Sequence, residues 1–399
     1  MIRINQSVDC CGCASCVQVC PPKCISFPED KQGFRYPVVS ESNCIDCGAC
    51  ELVCPMTKQR LEVVPSFIYA AKNKNVFIRR TSSSGGVFTL LAEQVLALGG
   101  VVFGARFDGH WEVVHDYAET AEGITAFRGS KYMQSKIGDS YRIAKSFLHT
   151  GRKVLFTGTP CQIAGLKSYL KKDFDNLLCV DFVCHGVPSP KVWRRYLKEI
   201  VRRNDRNPFS QVFSSKGDSI VKNVIFRDKC TGWKNYSFTV SFSETSDERE
   251  QNIVSKSMSF SENAFMNAFL NNIILRPSCY ECRFKAGRSG SDITLGDFWG
   301  IDKLRPSFDD DLGTGLVMMN TEKGHHFCSL VEMDFVEMTY DEAKKYNPCI
   351  YKSSRVHSLR PYFFWKLDKS FSLHGLIGQA VQYKPDFMYR VLRKLGLVK

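Results

Sequence analysis

One cysteine phrase occurs twice near the start of this 399-residue chain. The first copy is Cys10, Cys13, Cys16, Cys20 and Pro21; the second is Cys44, Cys47, Cys50, Cys54 and Pro55. Each member of the second copy lies 34 positions after its counterpart, as from Cys10 to Cys44, so the segment is an internal duplication. In each copy three thiols crowd one tight loop, and a fourth follows with proline behind it. Whatever else the chain does, its first 60 residues must fold around these sulfurs.

The spacing C-x2-C-x2-C-x3-C-P is that of a two-cluster bacterial ferredoxin, in which the fourth ligand of each cluster comes from the other copy. One [4Fe–4S] cluster is therefore assigned to Cys10, Cys13, Cys16 and Cys54. The other is assigned to Cys44, Cys47, Cys50 and Cys20. Structural zinc is the competing use of such cysteines, but it takes four ligands and usually shows two separated C-x2-C pairs. A disulfide framework fits less well still. Met1 to Val8 contains no apolar signal core, so a reducing, cytoplasmic location is expected. Cys11 and Cys24 fall outside the phrase and receive no role.

The cysteine module accounts for about 60 residues, and the length left over is ample for a large packed core. No apolar stretch approaches the ~20 residues needed to cross a bilayer. The formal charge of +13 is unevenly placed. Residues 1–60 hold six basic and six acidic residues, whereas 352–399 hold ten basic and two acidic. With ligand thiolates counted, each cluster site carries about −2 in its oxidised form. The electron-carrying end is thus acidic and the tail basic. No helix-turn-helix, zinc-finger or aromatic RNA-binding signature accompanies the basic charge, so nucleic acid is not an expected partner.

Beyond residue 62 apolar strands alternate with helical stretches. Val101–Phe107, Lys153–Thr157 and Leu177–Val183 read as strands. Val87–Leu98, Tyr141–Leu148, Gln162–Leu170 and Pro190–Arg203 read as helices. This alternation predicts an α/β (α+β) chain with a largely parallel sheet covered by helices. Phe209 to Phe242 reads as a β insertion or meander, and Ser243 to Gln251 as an exposed polar loop.

Two strand ends carry chemistry. One strand breaks at Gly158, and Thr159-Pro160-Cys161-Gln162 follows; another runs out at Cys184-His185-Gly186. Open parallel sheets bind ligands beyond the carboxyl ends of their strands, which would turn Cys161 and Cys184 toward one crevice. Cys279 and Cys282 add a C-x2-C pair, and the four thiols together make a third [4Fe–4S] site; zinc or buried apolar cysteines are the alternatives. No catalytic residue is assigned. His185, beside Cys184, is the candidate proton donor or cluster-sulfur partner, set against a plain packing role.

A further constellation is Arg80-Thr81-Ser82-Ser83-Ser84-Gly85-Gly86, directly before the helix at Val87. Serines cap exposed amides, and glycines let a phosphate approach the positive helix end. A nucleotide or flavin pyrophosphate suits this pattern, as does an ordinary capped turn. Neither G-x-G-x-x-G nor G-x4-G-K-[ST] is present.

Five ordered motifs now carry a resemblance. They are Ser82-Ser83-Ser84-Gly85-Gly86-Val87-Phe88, Arg128-Gly129-Ser130-Lys131-Tyr132-Met133-Gln134-Ser135, Gly158-Thr159-Pro160-Cys161-Gln162, Cys184-His185-Gly186-Val187-Pro188-Ser189, and Asp292 through Gly300. Over roughly residues 1–315 the chain resembles the β-subunit family of coenzyme F-420 hydrogenase/dehydrogenase, fused to an N-terminal two-cluster ferredoxin. The chain then divides into three segments: a ferredoxin domain at 1–62, a mixed α/β domain at 63–345 for which the resemblance implies FAD and iron–sulfur, and a basic aromatic helical tail at 346–399, which departs from the family after about Tyr340. The resemblance implies FAD beside the clusters, since a flavin converts between one-electron and hydride chemistry. Ser83, Ser84, Gly85 and Gly86 would meet the flavin phosphates, while Lys131, Tyr132, Gln134 and Ser135 would line the flavin. The C-x2-C pair would help hold the inner cluster.

The implied activity is an oxidoreductase that couples clusters and FAD to hydride exchange with a deazaflavin such as F-420, or with another small redox partner. Family members also occur in bacteria without F-420, often beside polysaccharide-synthesis genes. An electron-delivery module serving a partner enzyme, and a non-catalytic cluster-binding sensor, are therefore the alternatives. The tail, with Pro361-Tyr-Phe-Phe-Trp-Lys and a basic run from Phe387 to Leu397, reads either as a membrane-surface or partner-docking helix or as a helix packed on its own domain.

Overall fold

The apolar segments become strands of one eight-stranded sheet in the computed structural model, which describes residues 1–205, 220–243, 253–382 and 391. The strands are β3 (Phe67–Lys72), β4 (Val101–Phe107), β5 (Val113–Ala118), β6 (Val154–Gly158), β7 (Leu177–Phe182), β11 (Ile293–Asp297), β12 (Gly315–Met319) and β13 (Asp334–Glu337). Their order across the sheet is β13-β3-β12-β11-β7-β6-β4-β5. The mixed α/β class expected from the sequence holds.

The sheet is parallel only at its centre. β4, β6, β7 and β11 run parallel, while β5 on one side and β12, β3 and β13 on the other are antiparallel additions. The expectation of a largely parallel sheet is corrected to that extent. Its cause at one edge is a tight turn: the Asp108 carboxylate accepts from the amides of His110 and Glu112, both at 2.9 Å, and folds β5 straight back on β4. A helical crossover is needed only where strands continue in parallel.

By packing, the chain forms two units, Met1–Gly186 with Arg276–Ser354, and Val187–Leu275 with Arg355–Lys399. The eight-stranded sheet belongs to the first. Its core has one layer built on Leu91, Val95, Val102, Leu155 and Val317, and another on Phe103, Tyr141, Phe156, Ile163 and Leu166. These alternate along the strands, as a sheet covered on both faces requires.

The cysteine module lies in the same unit. A two-residue ladder joins β1 (Ile25–Ser26) to β2 (Val38–Val39). A short helix follows each cysteine loop, Ser15–Val19 in one copy and Ala49–Leu52 in the other. The duplication is visible in the backbone: Gly12 and Ala14 have φ of 75° and 60°, and their counterparts Asp46 and Gly48 have 48° and 69°.

The second unit contains a three-stranded antiparallel meander, β8 (Ile220–Asp228), β9 (Ser237–Ser243) and β10 (Ile253–Ser259). Trp193, Tyr196, Phe226, Phe238 and Phe265 form its aromatic core, with Trp193 and Phe226 centroids 5.1 Å apart. The tail contributes helices Arg360–Leu367 and Leu373–Val381, and Tyr362, Phe363 and Leu376 are buried. The aromatic run from Pro361 therefore packs inside its own unit. Of the predicted loop Ser243 to Gln251, Ser243 closes β9; residues 244–251, residues 209–219 of the predicted meander, and all but residue 391 of the basic run 387–397 lie outside the described residues.

Candidate functional site

The eight duplicated cysteines separate into two groups. Cys10, Cys13, Cys16 and Cys54 rim one small pocket, which Cys11, Ile2 and Met56 also line. Cys20, Cys44, Cys47 and Cys50 rim another, which Cys24 also lines. Each group takes its lone member from the other copy. Among the described residues no three His, Cys, Asp or Glu side chains close around a single metal ion. The sulfurs stand around small pockets instead, an arrangement that fits a multi-iron core with a thiolate at each corner. Burial holds Cys16 well above the ordinary thiol range and Cys54 at about 11. Ligation must therefore supply the charge that draws these protons off.

The four scattered thiols are neighbours in the fold. Cys161 sits in the first turn of helix Pro160–Leu170, just beyond β6, and Cys184 lies just beyond the adjacent β7. Burial raises the Cys184 thiol well above its usual value, and Cys279, Cys161 and Cys282 all act on it electrostatically. The Lys285 ammonium works against that rise; it donates to the carbonyls of Cys184 and, at 2.8 Å, of Cys349.

Three features here escaped the sequence reading. Cys11, given no role, is buried between the two cysteine sets, in one cluster with Cys13 and with Cys161 packed against it. These contacts and burial hold the Cys11 thiol well above its ordinary range. The neighbouring Cys11 thiol in turn lowers Cys13 to about 7 and also lowers Cys161. Cys349 is the second, its sulfur 3.7 Å from His185 Nδ1. Arg276 is the third, fully buried and bonded to the Cys10 carbonyl at 2.8 Å. Local spacing gives no signal for contacts this far apart in sequence.

The serine–glycine loop has a different geometry at each position. Gly86, with φ of 79°, is the N-cap of helix Val87–Ala97, and no side chain caps the helix. A Cβ on Gly85 would stand 2.2 Å from the Ala71 carbonyl oxygen, so that glycine lets the loop approach β3 and β12. Ser84 donates to the Thr314 carbonyl at 2.8 Å. Ser83 accepts from the amide and hydroxyl of Ser130, at 2.6 and 2.7 Å, which brings the loop 128–131 over the helix start. Arg128 is fixed there by Thr89 at 3.2 Å, and Lys131 donates to the carbonyls of Arg128 and Gly129. Burial lowers the Lys131 ammonium to about 7. Two cations beside an uncapped helix start are the ingredients of a phosphate cradle.

Gln134 and Ser135 face elsewhere. Gln134 donates to the Cys11 carbonyl at 2.9 Å. Ser135 is buried between His115 Nδ1 and Gln162 Nε2, both at 2.8 Å. Gln162 in turn accepts from the Thr159 amide at 2.9 Å, and the Thr159 hydroxyl lies 3.1 Å from the Cys161 sulfur. The pair thus supports the cysteine sets from behind. Tyr132 is half-buried in the same loop. Asp292, which opens the last motif, is structural: it accepts from the Cys179 amide and the Thr321 hydroxyl at 2.8 and 2.9 Å.

Residues 151–344 match the family described as the C terminus of the coenzyme F420 hydrogenase/dehydrogenase beta subunit, and residues 9–58 match the 4Fe-4S dicluster domain. The N-terminal segment is 46% identical over 67 residues to a ferredoxin 7Fe of Hydrogenibacillus schlegelii, covering 16% of this chain and 80% of that protein. Over 176 residues the chain is 28% identical to a coenzyme F420-dependent sulfite reductase of Methanocaldococcus jannaschii, a match that covers 41% of this chain and only 26% of the reductase. Among solved structures, a chain of the F420-reducing [NiFe] hydrogenase complex of Methanosarcina barkeri is 18% identical, with a TM-score of 0.42 over 84% of this chain and 92% of that one.

Proposed function

Because the chain belongs to the coenzyme F420 hydrogenase/dehydrogenase beta-subunit family, with a 4Fe-4S dicluster domain at its N-terminus, we propose that it is an iron–sulfur flavoprotein oxidoreductase passing electrons between its clusters and FAD. In this reading residues 1–62 are the ferredoxin domain, 63–345 the flavin and inner-cluster domain, and 346–399 an accessory tail. Cys161, Cys184, Cys279 and Cys282 hold a third [4Fe–4S] cluster. Ser83, Gly86, Arg128 and Lys131 receive the flavin phosphates. When bound, FAD would supply the conversion between single electrons and hydride that clusters alone cannot perform.

The observation that carries the proposal is the position of Cys11. Its side chain shares one buried cluster with Cys13 of the ferredoxin set, and Cys161 of the inner set packs against that cluster, which brings the two sets side by side. The protein's own work is then to exclude water and hold the sulfurs in sequence. Gln162 and Thr159 fix the Cys161 turn, Ser135 and His115 fix Gln162, and Lys285 offsets the inner thiolates. At the other end, Cys47 is exposed and flanked by Ile45 at 65% exposure. That face favours exchange of electrons with a redox partner protein, which keeps the electron-delivery reading as the second one.

A rapid-mixing experiment tests the proposal. Chemically reduced FAD-loaded protein is compared with Cys161→Ser and Cys184→Ser variants, following flavin and cluster absorbance after addition of oxidised coenzyme F420 or a nicotinamide. The proposal expects wild-type clusters to reoxidise through the flavin, and at least tenfold slower reoxidation in both variants. Equal rates in all three proteins would defeat it.

A further inference from the structure

Arg276 is fully buried, and burying a charge costs several kcal/mol unless it is compensated. Its guanidinium meets only neutral acceptors among the described residues. Nε donates to the Cys10 carbonyl at 2.8 Å, one terminal nitrogen to Gln134 Oε1 at 3.0 Å, and the other to the Arg35 carbonyl at 2.9 Å. Its plane lies against Tyr36, 4.4 Å from the ring centroid, with Phe34 at 5.6 Å. Gly12 makes room for it: a Cβ there would stand 2.8 Å from the guanidinium nitrogen. The ionisable groups around this cation are the sulfurs of Cys10, Cys11, Cys13, Cys161 and Cys279 and the Tyr36 hydroxyl. The Arg276 carbonyl also accepts from the Cys279 amide at 2.9 Å.

A thiolate-ligated cluster carries about −2 when oxidised and about −3 after one electron is added. Clusters at these sulfurs would carry the charge to balance Arg276, and the one held through Cys10 is tied to it most directly, by the Cys10 carbonyl at 2.8 Å. We propose that Arg276 is a positioning residue for electron transfer. Its buried charge raises the reduction potential of the cluster held by Cys10, Cys13, Cys16 and Cys54, and its hydrogen-bonding fork fixes that cluster's loop to the segment carrying Cys279. When bound, that cluster would take one electron from a one-electron reductant such as dithionite, and Arg276 would supply the compensating positive charge in place of a proton. The other ferredoxin cluster, on Cys44, Cys47, Cys50 and Cys20, lacks this neighbour and lies lower in potential. The inference rests on the two-cluster reading of the N-terminal module.

The test is a redox titration of full-length protein with dithionite, read by electron paramagnetic resonance, on wild type, Arg276→Lys, Arg276→Gln and Gln134→Glu. Iron and sulfide in wild type check the two-cluster reading by themselves. For one ferredoxin cluster only, Arg276→Gln is expected to reduce the ratio of reduced to oxidised cluster at least tenfold at fixed ambient potential, or 59 mV for a one-electron couple. Arg276→Lys keeps the charge and is expected to stay within threefold of wild type. Gln134→Glu leaves Arg276 in place, cancels its charge from 3.0 Å, and is expected to shift the same cluster in the same direction. If Arg276→Gln loses its clusters, Gln134→Glu decides. Unchanged potentials in the neutralising variants, or equal shifts of every cluster, would overturn the proposal.

Discussion

A Cβ on Gly165 would stand 2.8 Å from the Cβ of Cys13. The helix that begins at Pro160 therefore meets the first cysteine loop without room for a methyl group, and Ser15 closes the contact by donating to the Gly165 carbonyl at 2.9 Å. Replacing Gly165 by Ala adds helix propensity of about 1 kcal/mol. Overpacking against the loop costs roughly 1–3 kcal/mol. The clash should win, with a lower unfolding midpoint and faster iron loss. Stability equal to or above wild type would show that the loop is not seated on this helix.

On the proposed flavin site, Lys131 would give FAD binding a pH dependence. Burial lowers its ammonium to about 7, and an anionic phosphate binds the protonated form. Binding raises that pKa, so affinity is highest below pH 7 and falls as pH rises through it. Lys131→Met should cost roughly tenfold in FAD affinity at pH 6, the scale of one charge-assisted hydrogen bond, and flatten the profile. Calorimetric titration with FAD at pH 6 and 8.5 checks both; a wild-type affinity independent of pH would place the phosphates away from Lys131.

His115 stands behind the cysteine sets with its tautomer fixed. Nε2 donates to the Thr157 carbonyl at 2.7 Å, so Nδ1 accepts from the Ser135 hydroxyl. Burial lowers its pKa from 6.5 to about 4. Below pH 6.5 the unfolded chain binds a proton that the folded chain refuses, so stability falls as pH drops toward 4. Between pH 7 and 5.5 this group alone should remove about 1 kcal/mol. Urea midpoints of wild type and His115→Gln should diverge by that amount, with the variant less acid-sensitive.

Asp292 separates a structural motif from a catalytic one. Asp292→Ala leaves the Cys179 amide without its acceptor and should cost roughly 1–3 kcal/mol. Iron per folded chain should not change. Loss of iron at unchanged stability would instead move Asp292 into the redox site.

The legible part of this protein was whatever short range dictates. Val101–Phe107 is predicted and found as a strand, since an apolar run between turn residues has few other options. The ferredoxin spacing also groups the eight cysteines across the duplication, and the same two groups line separate pockets. The antiparallel strands β3, β12 and β13 were not legible: β3 pairs with Gly315–Met319 from nearly 250 positions away, and nothing local encodes that partner. Arg276 is the same case. Its contact with Cys10 spans 266 positions, and in sequence it is one arginine among many. Cys11 was visible but uninterpretable until Cys161 was placed against it.

The most direct test of the account is iron, acid-labile sulfide and flavin per chain after anaerobic purification and reconstitution. Three cubane clusters and one flavin give about twelve irons with one FAD, and Cys161→Ser should lower the iron to about eight while leaving the ferredoxin signals intact. About eight irons and no flavin in wild type would contradict the electron path, leaving a ferredoxin joined to a domain without redox chemistry of its own.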